Sequence, residues 1–259
     1  MKIIDLLNNE REVVAVVPTM DITLPRVIKL KDDLDRNGVD MIAVEDSGPA
    51  FRFAKSMNAG IKEALSKESV KYILLSNDDV YAITGFSNML NAIKHTKYDY
   101  AHPYINGVRP SAVATRSTIK TITNFAIRKQ APFFAWDKIR MARNVSGIKH
   151  PMFMVPSVLH LGGEIISVQP FGLLKKEILE MCRFDENFQN SMEDDDLMCQ
   201  INFHGYRGIT NENWNIRHSV GASFRTINKH DRMGSSYGGE EQFKGNLRYF
   251  CRKYENGWK

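Results

Sequence analysis

Three short apolar runs, each followed by polar residues, constrain the fold of this chain more than any other feature. They occupy residues 13–17, 41–44 and 72–75 and consist mainly of aliphatic and β-branched side chains. Predicted helices over about 24–36 and 51–66 separate them. Strands that alternate with helices favour a parallel sheet with helices on its faces. The sequence therefore predicts an α/β fold with a mixed, mainly parallel sheet in a single domain.

The remainder of the chain has a less regular pattern. We expect helices over 84–95, 173–181 and 242–254 and strands over 98–104, 152–159 and 164–168. A polar loop rich in glycine and serine spans 223–241, and loops of this length are often functional.

The bulk composition excludes several classes of protein. With 43% hydrophobic and 25% charged residues among 259, the chain has the composition of an ordinary globular protein. Its apolar runs are too short to span a bilayer, and the first ten residues lack a signal-peptide core. Cys182, Cys199 and Cys251 are widely spaced, which argues against a disulfide framework or a thiolate zinc site. We expect a cytoplasmic protein.

Positive charge is concentrated in one segment. Residues 109–149 hold nine Arg and Lys side chains against the single acid Asp137. Such a segment favours an anionic neighbour, or it is simply a solvated helix face. With Phe133, Phe134 and Trp136 it could contact a membrane surface as a peripheral site, or pack against the core.

Polar side chains follow all three apolar runs. Because ligands bind beyond the carboxyl ends of parallel strands, we expect these side chains to share one crevice. They are Thr19 and Asp21, Glu45 and Asp46, and Asn77, Asp78 and Asp79. The last three suit Mg²⁺ or Mn²⁺ held jointly with a diphosphate, although Asn-Asp pairs are also common in turns.

A run of four acids, Glu193 to Asp196, precedes a second apolar-periodic segment. Ser191 and Asp194 have the spacing of a capping box, which predicts a helix start there. Acids at a helix N-terminus are favourable in themselves. The run is therefore either a solvated helix start or the location of an acid that transfers protons.

Several catalytic motifs are missing from the sequence. It contains no GxGxxG or GxxxxGK[ST] phosphate loop, no GxSxG elbow and no HExxH pair. If a nucleotide binds, a metal and basic side chains must neutralise its phosphates.

The order of the motifs resembles family 2 glycosyltransferases, which are GT-A-fold enzymes that use nucleotide sugars. VAVVPTMD at 14–21, the acidic turn and Asn-x-Gly helix at 43–64, and YILLSNDDV at 72–80 are similar to that family's donor side. The FDE at 184–186 and the EDDDL at 193–197 are similar to its acceptor side. The HxxGxS at 218–223 and the tail NLRYFCRKY at 246–254 are similar to further segments of that family.

The resemblance implies an inverting transfer of a sugar from a nucleoside diphosphate to an acceptor hydroxyl. It implies a donor half over about 10–100 and an acceptor half over about 101–259, with the basic insert and a C-terminal loop and helix. Asp194 matches the general base, Glu193 and Asp196 lie on the acceptor side, and Asp79 and His218 match the metal site for Mn²⁺ or Mg²⁺. Either Glu45 or Asp46 matches the acid that binds the base of the nucleotide. The residues expected at the donor site are Pro18, Thr19, Asp21, Glu45, Asp46, Arg52, Lys55, Asn58, Asn77 and Asp78.

The implied partners are a nucleoside-diphosphate sugar and a glycan, lipid-linked or protein acceptor, and no nucleic acid is expected. Two other functions stay open at this point. One is a sugar-1-phosphate nucleotidyltransferase, although residues 17–21 supply no glycine-rich loop for a triphosphate. The other is a non-catalytic binder of nucleic acid or another anionic surface through residues 109–149, whose binding would be salt-sensitive and independent of Asp79.

Overall fold

A computed structural model of the chain describes residues 1–6, 11–47, 51–107, 112–115, 152–155, 165–166, 169–189, 192–219, 245–246, 248–250 and 253. The basic segment 109–149, apart from the backbone of 112–115, and the polar loop 223–241 lie outside these residues. The roles predicted for both segments stay predictions.

Strands and helices alternate between residues 13 and 76. In chain order the strands are β1 (Lys2–Leu6), β2 (Val13–Thr19), β3 (Asp40–Glu45), β4 (Tyr72–Ser76), β5 (Val80–Thr84), β6 (Tyr100–Ala101), β7 (Tyr104–Ile105), β8 (Ala112–Thr115), β9 (Met152–Val155), β10 (Ile165–Ile166), β11 (Phe171–Lys175), β12 (Gly208–Ile209) and β13 (Asn215–His218). The helices are α1 (Pro25–Arg36), α2 (Phe53–Leu65), α3 (Phe86–Lys94), α4 (Lys176–Met181) and α5 (Glu193–Phe203). Residues 245–246, 248–250 and 253 are also helical, and we call them the tail helix. Within the described part of the chain, no helix combines the length and apolarity needed to cross a membrane.

A seven-stranded mixed sheet in the order β1-β3-β2-β4-β11-β6-β12 forms the centre of the fold. β2 runs parallel to β3 and β4, whereas β1 and β11 are antiparallel to their neighbours. This arrangement confirms the predicted mixed α/β class. The described residues also form two three-stranded sheets, β10-β8-β9 and β5-β13-β7.

Helices cover both faces of the parallel strands. Val14 and Val16 of β2 pack in one apolar cluster with Met57 of α2, whereas Ala15 packs in a second cluster with Leu30 of α1. Successive side chains of a strand point to opposite faces, so one continuous apolar run supplies both clusters. This two-sided burial explains why all seven residues of β2 are buried.

Gly60 lets α2 approach the sheet closely. A Cβ atom added there would lie 2.4 Å from Val16 Cγ1 and 2.9 Å from Val44 Cγ2, both on buried strands. The glycine of the Asn-x-Gly motif is therefore explained by packing.

Gly60→Ala is expected to lower the free energy of unfolding by about 1–3 kcal/mol, because the added methyl group overpacks the interface between helix and sheet. This loss should exceed the gain in helix propensity. Gly245→Ala is the matched control, since Gly245 is helical and has open space around its Cα. Urea unfolding of both variants checks the prediction, and equal stability of Gly60→Ala and the parent chain would contradict it.

The structure differs from the sequence prediction after β4. The helix predicted over 173–181 is wrong at its start, because residues up to Lys175 belong to β11 and the helix begins at Lys176. Leu173 and Leu174 form a short apolar run, which fits a buried strand as well as a helix. The strand predicted over 98–104 is divided between β6 and β7, which belong to different sheets.

Candidate active site

The carboxyl ends of β2, β3 and β4 meet at one edge of the central sheet. In the parallel register Thr19 lies opposite Glu45, and Val16 lies opposite Leu75. The backbone N–H of Asp46 donates to the carbonyl oxygen of Thr19 at 2.9 Å. The three polar strand ends therefore converge, as parallel strands require.

Asp78 is buried at this edge, and its Oδ2 atom has two partners. Arg26, the second residue of α1, donates from Nε at 3.2 Å and from Nη2 at 3.1 Å. The Thr19 hydroxyl donates to the same oxygen at 2.9 Å. Asp78 thus links the end of β4 to β2 and α1. The sequence prediction missed Arg26, although a cation at a helix N-terminus is unfavourable unless an acid compensates it.

Asn77, Asp79 and His218 form a second group at the end of β4. Antiparallel pairing of β13 with β5 places His218 opposite Val80, next to Asp79 in the chain. His218 Nε2 lies 2.9 Å from Asp79 Oδ1 and 3.5 Å from Asn77 Nδ2. Asn106, which the sequence prediction also missed, holds the backbone of His218 through two hydrogen bonds of 3.1 Å.

The group around Asp79 fits part of a divalent-cation site. The Oδ1 atoms of Asn77 and Asp79 are buried. Asn77 Oδ1 lacks a hydrogen bond, and Asp79 Oδ1 faces His218 Nε2 at 2.9 Å without an aligned hydrogen bond. Buried oxygens in this condition are costly, and a cation would satisfy both. Among the described residues, no group of three or more His, Cys, Asp or Glu side chains could hold a metal. Mg²⁺ keeps several waters and takes ligands from substrate phosphates, so this incomplete set fits a metal shared with a diphosphate.

Asp21, Glu45 and Asp46 shape the turns beside this edge. Asp21 Oδ1 accepts the hydroxyl of Thr23 at 2.7 Å and its backbone N–H at 2.8 Å, and these hydrogen bonds lower the pKa of Asp21. Glu45 Oε2 accepts a hydrogen bond of 3.1 Å from the backbone N–H of Ile22, the residue after Asp21. Asp46 Oδ2 accepts the Ser56 hydroxyl of α2 at 3.3 Å.

The remaining residues predicted on the donor side lie on β2 and α2. Pro18 is buried in β2 opposite Val44. Arg52 directly precedes α2, and Lys55 is exposed on its first turn.

Asn58 connects α2 to the FDE segment. Its Nδ2 donates to the carbonyl oxygen of Phe184 at 2.8 Å and to Glu186 Oε1 at 2.9 Å, and its Oδ1 accepts the N–H of Phe184 at 3.1 Å. These bonds engage both ends of the amide, so we assign Asn58 a structural role.

The acid run opens helix α5, with Glu193 as its first residue and Asp194 as its second. The capping box predicted Asp194 as the third residue, and this register is wrong because Met192 has a positive φ of 70° and precedes the helix. Ser191 lies outside the described residues. Asp194 Oδ1 instead accepts the backbone N–H of Asp195 at 3.0 Å.

Asp196 is fully buried and joins α5 to the tail helix. Lys253 donates to Asp196 Oδ1 at 2.8 Å and to Asp185 Oδ2 at 2.7 Å. Gln200 donates to Asp196 Oδ2 at 2.7 Å. The sequence showed only the helical spacing of the tail, and no local pattern indicated Lys253 as the partner.

Glu193 occupies the first position of α5. Its side chain is buried, and its Oε2 atom accepts no hydrogen bond. Burial raises the pKa of Glu193 to about 8, and the negative charge of Asp194 acts in the same direction. Glu193 therefore keeps its proton to a higher pH than an ordinary glutamate, and it lies next to Asp194, the predicted general base.

Glu193→Gln is expected to gain stability relative to the parent chain as the pH rises from 5 to 8. In this range folded Glu193 holds a proton that the unfolded chain has released. The free energy of unfolding of the parent chain therefore falls by up to about 1.4 kcal/mol per pH unit. The glutamine variant lacks this titration. Chemical unfolding of both proteins across this range checks the prediction, and parallel pH curves would contradict it.

No protein-family model and no curated protein matches the chain. A mutant of Drosophila β1,4-galactosyltransferase 7 in complex with manganese, UDP-Gal and xylobiose is a similar solved structure, with 14% identity and a TM-score of 0.45 over 90% of this chain and 79% of that one. A glycosyltransferase involved in glycosylation of the PBCV-1 major capsid has 11% identity and a TM-score of 0.39 over 86% and 99%. S. aureus TarS has 11% identity and a TM-score of 0.44 over 93% and 71%. At these low values the function must be inferred from this chain's own side chains.

Proposed function

We propose that the chain is an inverting, metal-dependent glycosyltransferase with a GT-A-like fold. It would transfer a sugar from a nucleoside-diphosphate sugar to a hydroxyl of a glycan, lipid-linked or protein acceptor. The observation that carries the proposal is the pair of buried oxygens on Asn77 and Asp79 that accept no hydrogen bond and lie beside His218.

On the donor side, Asp79 and His218 would hold Mn²⁺ or Mg²⁺, with Asn77 as a further oxygen ligand. The bound ion would neutralise the charge that develops on the leaving diphosphate. Arg26 keeps Asp78 in place, while Arg52 and Lys55 supply positive charge from the start of α2. The nucleoside would bind at the ends of β2 and β3 and the turns that follow them, which contain Pro18, Thr19, Asp21, Glu45 and Asp46.

On the acceptor side, Asp194 is the general base. Its carboxylate takes the hydroxyl proton while the acceptor oxygen bonds to the anomeric carbon and the bond from that carbon to the diphosphate breaks. Attack from the face opposite the leaving group inverts the anomeric carbon. Glu193, whose raised pKa favours its protonated form, can donate a hydrogen bond to the acceptor, and Asp196 anchors the turn.

A thermal-shift panel of nucleoside diphosphates and nucleotide sugars, with and without Mn²⁺, tests the proposal. A nucleotide present at a hundred times its dissociation constant should stabilise the protein by about 2.7 kcal/mol, and only with the metal. The absence of metal-dependent stabilisation by any nucleotide in the panel would refute the proposal. Release of pyrophosphate from a nucleoside triphosphate and a sugar phosphate would instead indicate the nucleotidyltransferase.

A further inference from the structure

We propose that Lys253 is a positioning residue, whose ammonium group holds the first turn of α5 by bridging Asp185 and Asp196. This inference rests on the proposed function, because Asp194 lies in the turn that Lys253 would hold. We call the two contacts the Lys253 bridge.

The Lys253 bridge connects three parts of the chain. Nζ of Lys253, in the tail helix, lies 2.7 Å from Asp185 Oδ2 in the FDE segment and 2.8 Å from Asp196 Oδ1 in α5. The side chain of Asp196 has no exposed surface, and Lys253 is 25% exposed. Such a buried carboxylate requires a close cation. The backbone N–H of Asp196 also donates to the carbonyl oxygen of Met192 at 2.9 Å, so the anchored residue closes the turn that contains Asp194.

The charges of this region explain why the bridge is needed. Burial alone would lower the pKa of Lys253, but the negative charges of Asp196 and Asp185 outweigh it, so the net pKa is raised. Lys253 therefore stays positive. Beside Glu193, whose pKa is raised, the first turn of α5 holds the three carboxylates Asp194 to Asp196, and like charges repel one another. Without the ammonium group, this repulsion would favour rotation or fraying of the turn.

The tail helix has other contacts that hold it without Lys253. Asn246 makes two hydrogen bonds with the backbone of Gln189, at 3.1 and 3.2 Å. The rings of Tyr249 and Phe250 lie 4.9 and 6.3 Å from that of Phe188. Removal of the Lys253 charge should therefore leave the tail helix docked and affect mainly the turn of α5.

Three variants of the full chain test the proposal. Lys253→Met removes the charge and keeps the length, Lys253→Arg keeps the charge, and Tyr249→Phe removes a hydroxyl that donates to Asp185 at 2.9 Å without touching Asp196. The first readout is amide hydrogen exchange over residues 192–203. The second is kcat and KM for hydrolysis of the nucleotide sugar that gives the largest Mn²⁺-dependent stabilisation.

We expect Lys253→Met to accelerate exchange in residues 192–203 and to lower kcat on the order of 10²-fold, since a misplaced catalytic group costs about that much. The KM for the donor should stay within about twofold, because the bridge does not touch the donor edge. Lys253→Arg should restore most of kcat, and Tyr249→Phe should resemble the parent. If Lys253→Met does not fold, Lys253→Gln replaces it, since one amide can bind one carboxylate but cannot bridge two as a cation.

The proposal would be overturned if Lys253→Met, or Lys253→Gln as its replacement, exchanged its amide hydrogens in residues 192–203 at the rate of the parent chain. A kcat equal to that of the parent would also overturn it. Equal changes in Lys253→Met and Tyr249→Phe would also overturn it, because they would indicate general loosening of the tail. If the parent chain binds no nucleotide with metal, the proposed function fails. The exchange experiment then still decides whether Lys253 holds the turn.

Discussion

Asp79→Ala is expected to abolish the dependence of nucleoside diphosphate binding on Mn²⁺ or Mg²⁺. Asp79 supplies the buried oxygen nearest to His218, and alanine leaves Asn77 and His218 without a carboxylate. A hard divalent cation binds carboxylate oxygen far better than a neutral amide and an imidazole. The metal-linked stabilisation, about 2.7 kcal/mol at a hundred times the dissociation constant, should therefore disappear. Thermal shift with and without metal measures it.

Asp40→Ala is the matched control for this prediction. Asp40 is a buried acid that forms an ion pair with Arg11, and it lies at the start of β3, away from the candidate site at the carboxyl end of that strand. Its loss should lower the melting temperature while the metal-dependent shift persists. A metal-dependent shift that survives in Asp79→Ala would show that the cation binds elsewhere.

Asp194→Asn is expected to keep donor binding and to lower turnover by about 10²–10⁴-fold, the range typical of a lost general base. Asparagine retains an oxygen that can accept the N–H of Asp195, so the start of α5 should survive. It cannot take a proton from the acceptor hydroxyl. Thermal shift with nucleotide and metal checks binding, and single-turnover sugar transfer or donor hydrolysis checks chemistry.

Asp195→Asn controls for the general effect of removing one acid from the run. It should retain most of the turnover, because in the proposal Asp195 is not the base. Full activity of Asp194→Asn would remove the base assignment. A large loss in Asp195→Asn alone would transfer the role to that residue.

Periodicity was sufficient to predict the core of the fold. The apolar runs at 13–17, 41–44 and 72–75 lie in β2, β3 and β4, and the two helices between them are present. A strand that is buried on both faces needs no alternation of apolar and polar residues. A continuous apolar run is therefore typical of a central parallel strand. Prediction was poorer for β11 and for the two-residue strands β6 and β7, because runs this short fit more than one period.

The candidate site was predicted only in part. The sequence identified Asp79 and His218, but their proximity depends on the pairing of β13 with β5. It also predicted Asn58 and Asp78 on the donor side, but it could not predict which residues form hydrogen bonds with them. Asn58 bonds to Phe184, which is 126 positions away, and Asp78 bonds to Arg26, which is 52 positions away.

The polar residues after β2, β3 and β4 could be placed at one edge from the chain alone, because parallel strands bring their carboxyl ends together. The chain alone could not show which of those residues are still able to bind a ligand. That property depends on which polar atoms find partners, and the partners come from distant segments through long-range packing. Thus Arg26 and Thr19 hold Asp78, while Asp79 keeps a buried oxygen that accepts no hydrogen bond. In the same way, only the fold gives the four adjacent acids different surroundings, because Lys253 binds Asp196 and burial raises the pKa of Glu193.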